Sequence, residues 1–173
     1  MRALAWVRIG FLFLLITGCS LPPDARESES GPHPEVAEVE GVAKTFLSAL
    51  SSRDTATLSL LLTPGSMIYS VRDGEGGPVL GAVTRVAFLE GLGDEDRVFL
   101  ERMWSPTVEI DGRVAMVWAP YDFYVDDDFS HCGVDVFTML KGPEGWQVAS
   151  ITYNVVREGC PPSPLGPPER SDG

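Results

Sequence analysis

The sequence predicts an α+β fold in which helices come first along the chain and strands follow. Two observations support this prediction. Residues 34–62 carry apolar side chains at the spacing of amphipathic helices, whereas residues 99–156 contain long runs of aromatic and β-branched side chains separated by turn residues. Helices and strands that are segregated in this way typically pack as helices against one face of an antiparallel sheet.

Three helices are predicted before the long strands. The first begins near Pro34, which is tolerated in a first helical turn. Its apolar stripe consists of Val36, Val39, Ala43, Phe46, Leu47 and Leu50. Asp54 is a candidate N-cap for a short second helix that ends at Pro64-Gly65. Thr84 is a candidate cap for the third helix, which precedes Gly93.

The strands are predicted from alternating apolar residues and from turn signals between them. They are Ser66–Val71, Val79–Leu80, Glu101–Ile110, Val114–Val125, Ser130–Leu140 and Trp146–Val156. The dipeptide Asp111-Gly112 strongly indicates a two-residue hairpin turn. Pro106 and Pro120 lie inside strands and predict bulges or bends, because proline cannot donate a hydrogen bond to a neighbouring strand.

This order of elements resembles the nuclear-transport-factor-2-like (NTF2-like, or SnoaL-like) fold over about residues 35–160. The resemblance also rests on the segments 46–50 and 53–54 and on Gly145-Trp146-Gln147-Val148, which opens the final strand. The segments 121–124 and 129–133 resemble a bacterial envelope lipoprotein subgroup whose role is undefined. The resemblance implies a cone, with N-terminal helices packed on a strongly bent antiparallel sheet. Proteins of this fold include isomerases, dehydratases, cyclases and noncatalytic binding domains, so the fold alone does not imply a function.

The N-terminus has the form of a bacterial lipoprotein signal peptide. Arg2 and Arg8 precede a short apolar run that ends at Ile16-Thr17-Gly18-Cys19, and this run is too short to span a membrane. We therefore expect cleavage after residue 18 and attachment of diacylglycerol and palmitate to Cys19. Ser20 favours the outer membrane, with the protein facing the periplasm. The alternative is an ordinary signal peptide that is cut nearby.

The predicted organisation has four parts. Residues 1–18 are the signal peptide, residues 19–33 are the lipidated cysteine with a flexible tether, residues 34–160 are the folded domain, and residues 161–173 are a Pro-rich disordered tail. The net charge of −12 argues against nucleic-acid binding, because an acidic surface repels phosphate groups. The expected contact with the membrane is therefore made through the lipid.

Two cysteines remain in the folded part, and an oxidising compartment favours a disulfide between Cys132 and Cys160. Two free buried thiols are the alternative. If Leu140 pairs near Trp146 across the last hairpin, Cys132 lies opposite Asn154. The chain after the final strand must then turn back for the two sulfur atoms to meet.

His131 and Asp135 are the candidate catalytic residues. They share one face of their strand with Gly133, Phe137 and Met139, because side chains alternate between the two faces of a sheet. In a pocket, they would act as acid and base, and Tyr121 or Tyr124 would donate a hydrogen bond to a developing oxyanion. The alternative places His131 and Asp135 at strand ends or on the outer face, where water hydrates them.

The candidate ligand-pocket residues are the aromatic side chains Trp104, Trp118, Tyr124 and Phe137. Their alternative role is to form the core. The acidic turn at residues 126–128, even with His131, is not predicted to bind a metal, because consecutive acids in a turn point in different directions. The sequence contains no phosphate-binding loop, Cys-x-x-Cys pair or nucleophile elbow, and no cofactor is predicted.

These observations lead to three functional hypotheses. The first is a membrane-tethered, noncatalytic domain that binds a small apolar ligand or an envelope partner. The second is an isomerase or dehydratase type of enzyme, and the third is a purely structural homodimer built by sheet-to-sheet packing. An inward orientation of His131 and Asp135 in an apolar pocket distinguishes the second hypothesis, and a concave face filled by side chains distinguishes the third.

Overall fold

The computed structural model describes residues 33–94 and 97–169. The predicted signal peptide, Cys19 and almost all of the predicted tether lie outside these residues. Within them, the helices are α1 (Val36–Ser51), α2 (Thr55–Leu61) and α3 (Arg85–Asp94). None of these described helices has the length and apolar character needed to cross a membrane.

The predicted helices are present, and local sequence explains where they begin. Apart from the half-buried Val36, the apolar stripe of α1 is buried and forms much of the core. Asp54 caps α2 by accepting a 2.9 Å hydrogen bond from the backbone N–H of Thr57. Thr84 accepts a 3.3 Å bond from the N–H of Ala87 at the start of α3. The α3 helix continues one residue beyond Gly93.

The strands form one curled sheet. They are β1 (Leu62–Gly74), β2 (Gly77–Thr84), β3 (Phe99–Met103), β4 (Thr107–Asp111), β5 (Val114–Val125), β6 (Asp128–Gly142) and β7 (Gly145–Val155). The strand order is β2-β1-β7-β6-β5-β3, and β4 also pairs with β5. Neighbouring strands are antiparallel, except that β1 and β7 run parallel. The predicted α+β class with helices on a bent sheet is therefore confirmed.

The predicted strand Glu101–Ile110 is two strands, β3 and β4, which pair with successive halves of β5. The break occurs at Ser105, whose φ of 45° is left-handed, and at Pro106. Proline removes one ladder donor, and the left-handed residue turns the chain, so the pairing cannot run through this point. At Pro106, where a bulge or bend was expected, the strand is interrupted completely and divides into β3 and β4.

The bulge expected at Pro120 is absent, because pairing with β6 continues through it without a shift. The carbonyl of Pro120 accepts a 3.2 Å bond from the N–H of Trp104. In an antiparallel pair, N–H and C=O of one residue point to the same neighbour. The nitrogen of Pro120 therefore faces the gap between β3 and β4, where no ladder bond is lost. The register shift of β5 lies instead between Phe123 and Tyr124.

A disulfide joins Cys132 and Cys160, whose Cα atoms are 6.1 Å apart. The predicted register was wrong, since Cys132 lies opposite Val156 rather than Asn154. Leu140 pairs with Gln147, and a further shift follows between Thr138 and Met139. Because of these offsets, the residue opposite Cys132 is two positions closer to Cys160 along the chain than predicted. A short turn after Val156 is therefore enough to close the bridge.

Candidate functional site

A cavity of about 170 Å³ lies between the helices and the concave face of the sheet. Its walls come from α1, α3 and every strand except β4. The lining residues are Phe46, Leu47, Ile68, Val83, Phe88, Glu101, Phe123, His131, Asp135, Phe137, Ile151 and Tyr153. Most of this wall is apolar, and its polar side chains gather on β3, β6 and β7. This combination of an apolar wall and a few convergent polar groups is typical of a small-molecule site.

His131, Asp135 and Phe137 point into this cavity, as the alternation along β6 predicts. The alternative in which His131 and Asp135 lie on a hydrated outer face is wrong. Asp135 is 2% exposed and pairs with Ala119 of β5 and with Tyr153 of β7. The curl of the sheet encloses this face, because α1 and α3 cover its concave side.

The other predicted pocket and catalytic residues lie elsewhere. Trp118 is 48% exposed and belongs to the outer face, while Trp104 follows β3 and does not line the cavity. Tyr124 lies under the guanidinium of Arg102, 5.2 Å from it. Tyr121 is buried and does not line the cavity, and its hydroxyl donates a 2.9 Å bond to the carbonyl of Asn154. Of the four predicted pocket aromatics, the cavity includes Phe137.

Glu101 and Asp135 bring two carboxyl groups together in this cavity. Their side chains are hydrogen-bonded to each other, which requires a proton on one of them. Part of the Glu101 residue touches solvent, but its carboxyl group is enclosed by protein. The backbone N–H of Glu101 donates a 3.1 Å bond to the hydroxyl of Ser51, which fixes β3 against the end of α1.

The pKa of both carboxyl groups is raised. Burial is the main cause for each, because a charged form loses its hydration. The negative charges of Asp135 and then Asp122 raise the pKa of Glu101 further. The pair therefore holds a proton at a pH where ordinary carboxyl groups have lost theirs, a property often found at functional sites.

His131 lines the same cavity. Its ring centroid is 5.0 Å from that of Phe123 and 5.7 Å from that of Tyr121. Burial, and then the charge of Arg157, lower the pKa of His131 to about 4. Its ring is thus neutral at pH 7. The hydroxyl of Ser130 lies 2.9 Å from Nδ1, and when this hydroxyl donates, the ring proton resides on Nε2.

Tyr153 completes the polar part of the wall. Its hydroxyl is hydrogen-bonded to the side chain of Ser70, and burial followed by the charge of Glu101 raises its pKa. Gly133 allows the strands to approach closely here, because a Cβ atom at this position would overlap the carbonyl oxygen of Asn154. The same carbonyl oxygen of Asn154 accepts the hydrogen bond from the Tyr121 hydroxyl.

No cluster of three or more metal-ligating side chains occurs in the described part of the chain. In the acidic turn, Asp126 accepts a 2.8 Å bond from the N–H of Val98 and pairs with Arg97 at 3.2 Å. Asp126 therefore connects the turn between β5 and β6 to the residues that precede β3.

Glu101 is the residue that sequence reasoning missed. A signal for it exists, because Glu101 alternates with Phe99 and Met103, and both of these pack against the core. An acid at an inward position of a buried strand is uncommon and indicates a functional or paired group. Its partner Asp135, however, lies two strands away in the sheet, and only the curl brings the two carboxyl groups together.

Solved structures show the same fold at low sequence identity. A candidate dehydratase of the NTF2-like family from Streptomyces avermitilis aligns with a TM-score of 0.57 and 18% identity, over 70% of this chain and 96% of that one. An NTF2-like protein from Cytophaga hutchinsonii aligns with a TM-score of 0.58 and 11% identity, over 69% of this chain and 97% of that one. An NTF2-like superfamily protein from Salmonella enterica aligns with a TM-score of 0.54 and 14% identity, over 72% of this chain and 92% of that one.

The domain therefore has the NTF2-like cone fold. No protein-family model matches the sequence, and no curated protein matches it either. At these identities the likeness establishes the fold, while the activity must be argued from the cavity itself.

Proposed function

We propose that this chain is a lipid-anchored envelope protein whose cone-shaped domain binds a small molecule in the cavity between α1, α3 and the sheet. The observation that carries the proposal is the cavity of about 170 Å³ with the Glu101–Asp135 pair in its apolar wall. The concave face is not filled by side chains, which favours ligand binding over a purely structural dimer. The lipid anchor at Cys19 is the part of the proposal that rests on sequence alone.

The cavity volume limits the size of the ligand. An apolar protein cavity of about 150 Å³ holds one benzene molecule. The volume of about 170 Å³ therefore suits one six-membered ring with one or two further atoms. The apolar wall would contact the ring, and the polar groups of Glu101, Asp135 and Tyr153 would contact a polar substituent.

A cavity-filling variant tests this proposal. Val83 lines the cavity and is 40% exposed, so that Val83→Trp can occupy the ligand space without overpacking the core. Leu80→Trp is the matched control, because Leu80 lies on the same strand and is 80% exposed. Affinity for cyclohexanol would be measured by calorimetry with the full chain in phosphatidylcholine nanodiscs, and empty nanodiscs would correct for partitioning.

We expect Val83→Trp to weaken cyclohexanol binding at least tenfold, while Leu80→Trp leaves it unchanged. Equal affinities in the two variants would place the bound molecule outside the cavity and contradict the proposal. Failure of the wild-type chain to bind any ring-sized probe would contradict it as well.

An acid–base enzyme is the second candidate, because His131 and the carboxyl pair line the same cavity. A carboxylate of the pair would remove a proton from the carbon next to a ketone carbonyl and return it two carbons further along, which moves a double bond into conjugation. Conversion of cyclohex-3-enone to cyclohex-2-enone, followed by ultraviolet absorbance, tests this reaction on a substrate of suitable size.

General acid–base groups contribute about 10²–10⁴-fold to a rate. If the protein is an enzyme of this kind, Asp135→Asn should lower the rate by such a factor with the circular dichroism spectrum unchanged. A rate equal to that of buffer for the wild-type chain would leave the binding function as the better explanation of the cavity.

A further inference from the structure

The cavity wall contains acidic side chains but no lysine or arginine. Its ionisable lining residues are Glu101, Asp135, His131 and Tyr153, and no lysine or arginine is among them. Arg102 points to the outer face, where its guanidinium makes two bonds of 2.9 and 2.5 Å to the carboxylate of Asp122. The cavity therefore contains buried acids without a protein cation facing them.

One oxygen of the carboxyl pair also lacks a hydrogen-bond donor. Oδ2 of Asp135 is buried and receives no hydrogen bond from an N–H or hydroxyl group of the described residues. The proton shared with Glu101 is the one hydrogen that the pair itself supplies. A buried carboxyl oxygen without a donor is costly, since an unsatisfied polar group loses its hydration without compensation.

The other groups around the pair do not supply a positive charge. His131 is neutral at pH 7, with its pKa lowered to about 4. The Tyr121 hydroxyl donates to the carbonyl of Asn154, and the Tyr153 hydroxyl, which accepts from Ser70, carries no charge. The helical side of the cavity is apolar, because Phe46, Leu47 and Phe88 form it.

A protonated amine fits this environment better than a neutral alcohol does. An ammonium group carries three donors and no acceptor, whereas a hydroxyl group carries one donor. It would bond to both carboxyl groups in an environment of low dielectric constant. With the shared proton retained, the pair carries one negative charge, which the single positive charge of the ammonium group would neutralise, and the ring would remain against the apolar wall.

We propose that the ligand of this cavity is a monocationic amine with an apolar body of about one six-membered ring, and that its ammonium group is held between Glu101 and Asp135. This inference rests on the proposed small-molecule function and specifies the chemical class of the ligand. The two carboxyl groups are binding residues in this role, and Tyr153, which interacts with both of them, contacts the amine from the side.

Two probes of nearly equal shape test the inference: cyclohexylamine, which is protonated at pH 7.5 as a lysine side chain is, and cyclohexanol, which is neutral. Affinities would be measured by calorimetry with the full chain in phosphatidylcholine nanodiscs. The test variant is Glu101→Gln with Asp135→Asn. The matched control is Glu109→Gln with Asp111→Asn, which changes two exposed acids of β4 and alters the formal charge in the same way.

We expect the wild-type chain to bind cyclohexylamine at least tenfold more tightly than cyclohexanol. The cavity variant should lose this preference and still bind cyclohexanol, while the β4 variant should keep the preference. Equal wild-type affinities would overturn the inference and leave the small-molecule function standing. Binding of neither probe would overturn both, and loss of the preference in the β4 variant would assign it to the surface charge.

Discussion

At the scale of single residues, burial decides the chemistry of the Glu101–Asp135 pair. The two carboxyl groups lose hydration on folding, and their pKa is raised above the ordinary carboxyl value. His131, on the same wall, responds in the opposite direction, with its pKa lowered to about 4. In each case the folded state favours the neutral form, so the cavity excludes isolated charge unless a ligand compensates it.

The pair makes a specific contribution to the pH dependence of stability. Because its pKa is higher in the folded state, the folded chain holds protons that the unfolded chain has lost above about pH 4. The contribution of the pair is therefore fully present below the ordinary carboxyl pKa, and it is lost as the pH rises through the raised value. The slope is limited to about 1.4 kcal/mol per pH unit for each proton.

Glu101→Gln with Asp135→Asn should remove this pH dependence. We expect the free energy of unfolding of the wild-type chain, relative to that of the variant, to fall as the pH rises from 4 to 8. Urea denaturation at several pH values measures it. His131 is present in both proteins, so that its own effect, a loss of stability as the pH falls from 6.5 towards 4, cancels in the difference. Parallel curves would contradict the prediction.

At the scale of elements, β6 combines the site and the disulfide on one strand. Its inner face carries His131, Asp135 and Phe137 into the cavity. Next to His131, Cys132 binds the segment after β7 through the disulfide with Cys160. This segment is attached again at Gly166, whose carbonyl accepts a 2.9 Å bond from Arg102. The C-terminal segment thus has two attachments to the sheet, although its proline content predicted a loose tail.

Removal of the disulfide should destabilise the domain. For the 28-residue separation between the cysteines, the chain-entropy model gives about 3–4 kcal/mol. We expect Cys132→Ser with Cys160→Ser to lower the free energy of unfolding by about this amount in urea. The reduced wild-type chain should match the variant, and a reductant should not change the variant further. An unchanged midpoint in the variant would contradict the prediction.

At the scale of the whole molecule, a strongly acidic domain encloses the mainly apolar cavity that contains Glu101 and Asp135. The chain carries a net charge of −12, which disfavours adsorption to anionic membranes through the protein surface. Attachment to an envelope membrane would therefore depend on the lipid that we propose at Cys19. Stable attachment would require more than one acyl chain on this cysteine.

The anchor is tested by changing its cysteine. We expect Cys19→Ser to abolish incorporation of labelled palmitate when the full chain is expressed in a bacterium. The control is the chain with Cys132→Ser and Cys160→Ser, which should be labelled like the wild type because both cysteines belong to the disulfide. Undiminished labelling of Cys19→Ser would contradict the lipoprotein assignment.

Sequence by itself determined the elements and the faces that local chemistry specifies. The stripe of α1, the cap at Asp54 and the hairpin signalled by Asp111-Gly112 depend on neighbours within a few residues. Each is present, although the two turn residues are Gly112 and Arg113, one position later than predicted. The side chains of His131, Asp135 and Phe137 share a face because the period of a strand is two. The class of fold also follows, since it depends on element order.

Tertiary structure alone decided which of these faces encloses a site. The contact between Glu101 and Asp135 joins strands that β5 separates, and it depends on how strongly the sheet curls. Trp118 is exposed because it lies on the convex face, and aromatic character alone does not distinguish the two faces. The parallel pairing of β1 with β7 and the shifted register of the last hairpin are likewise long-range. Curvature and pairing between distant segments arise from packing of the whole domain, and no local pattern encodes them.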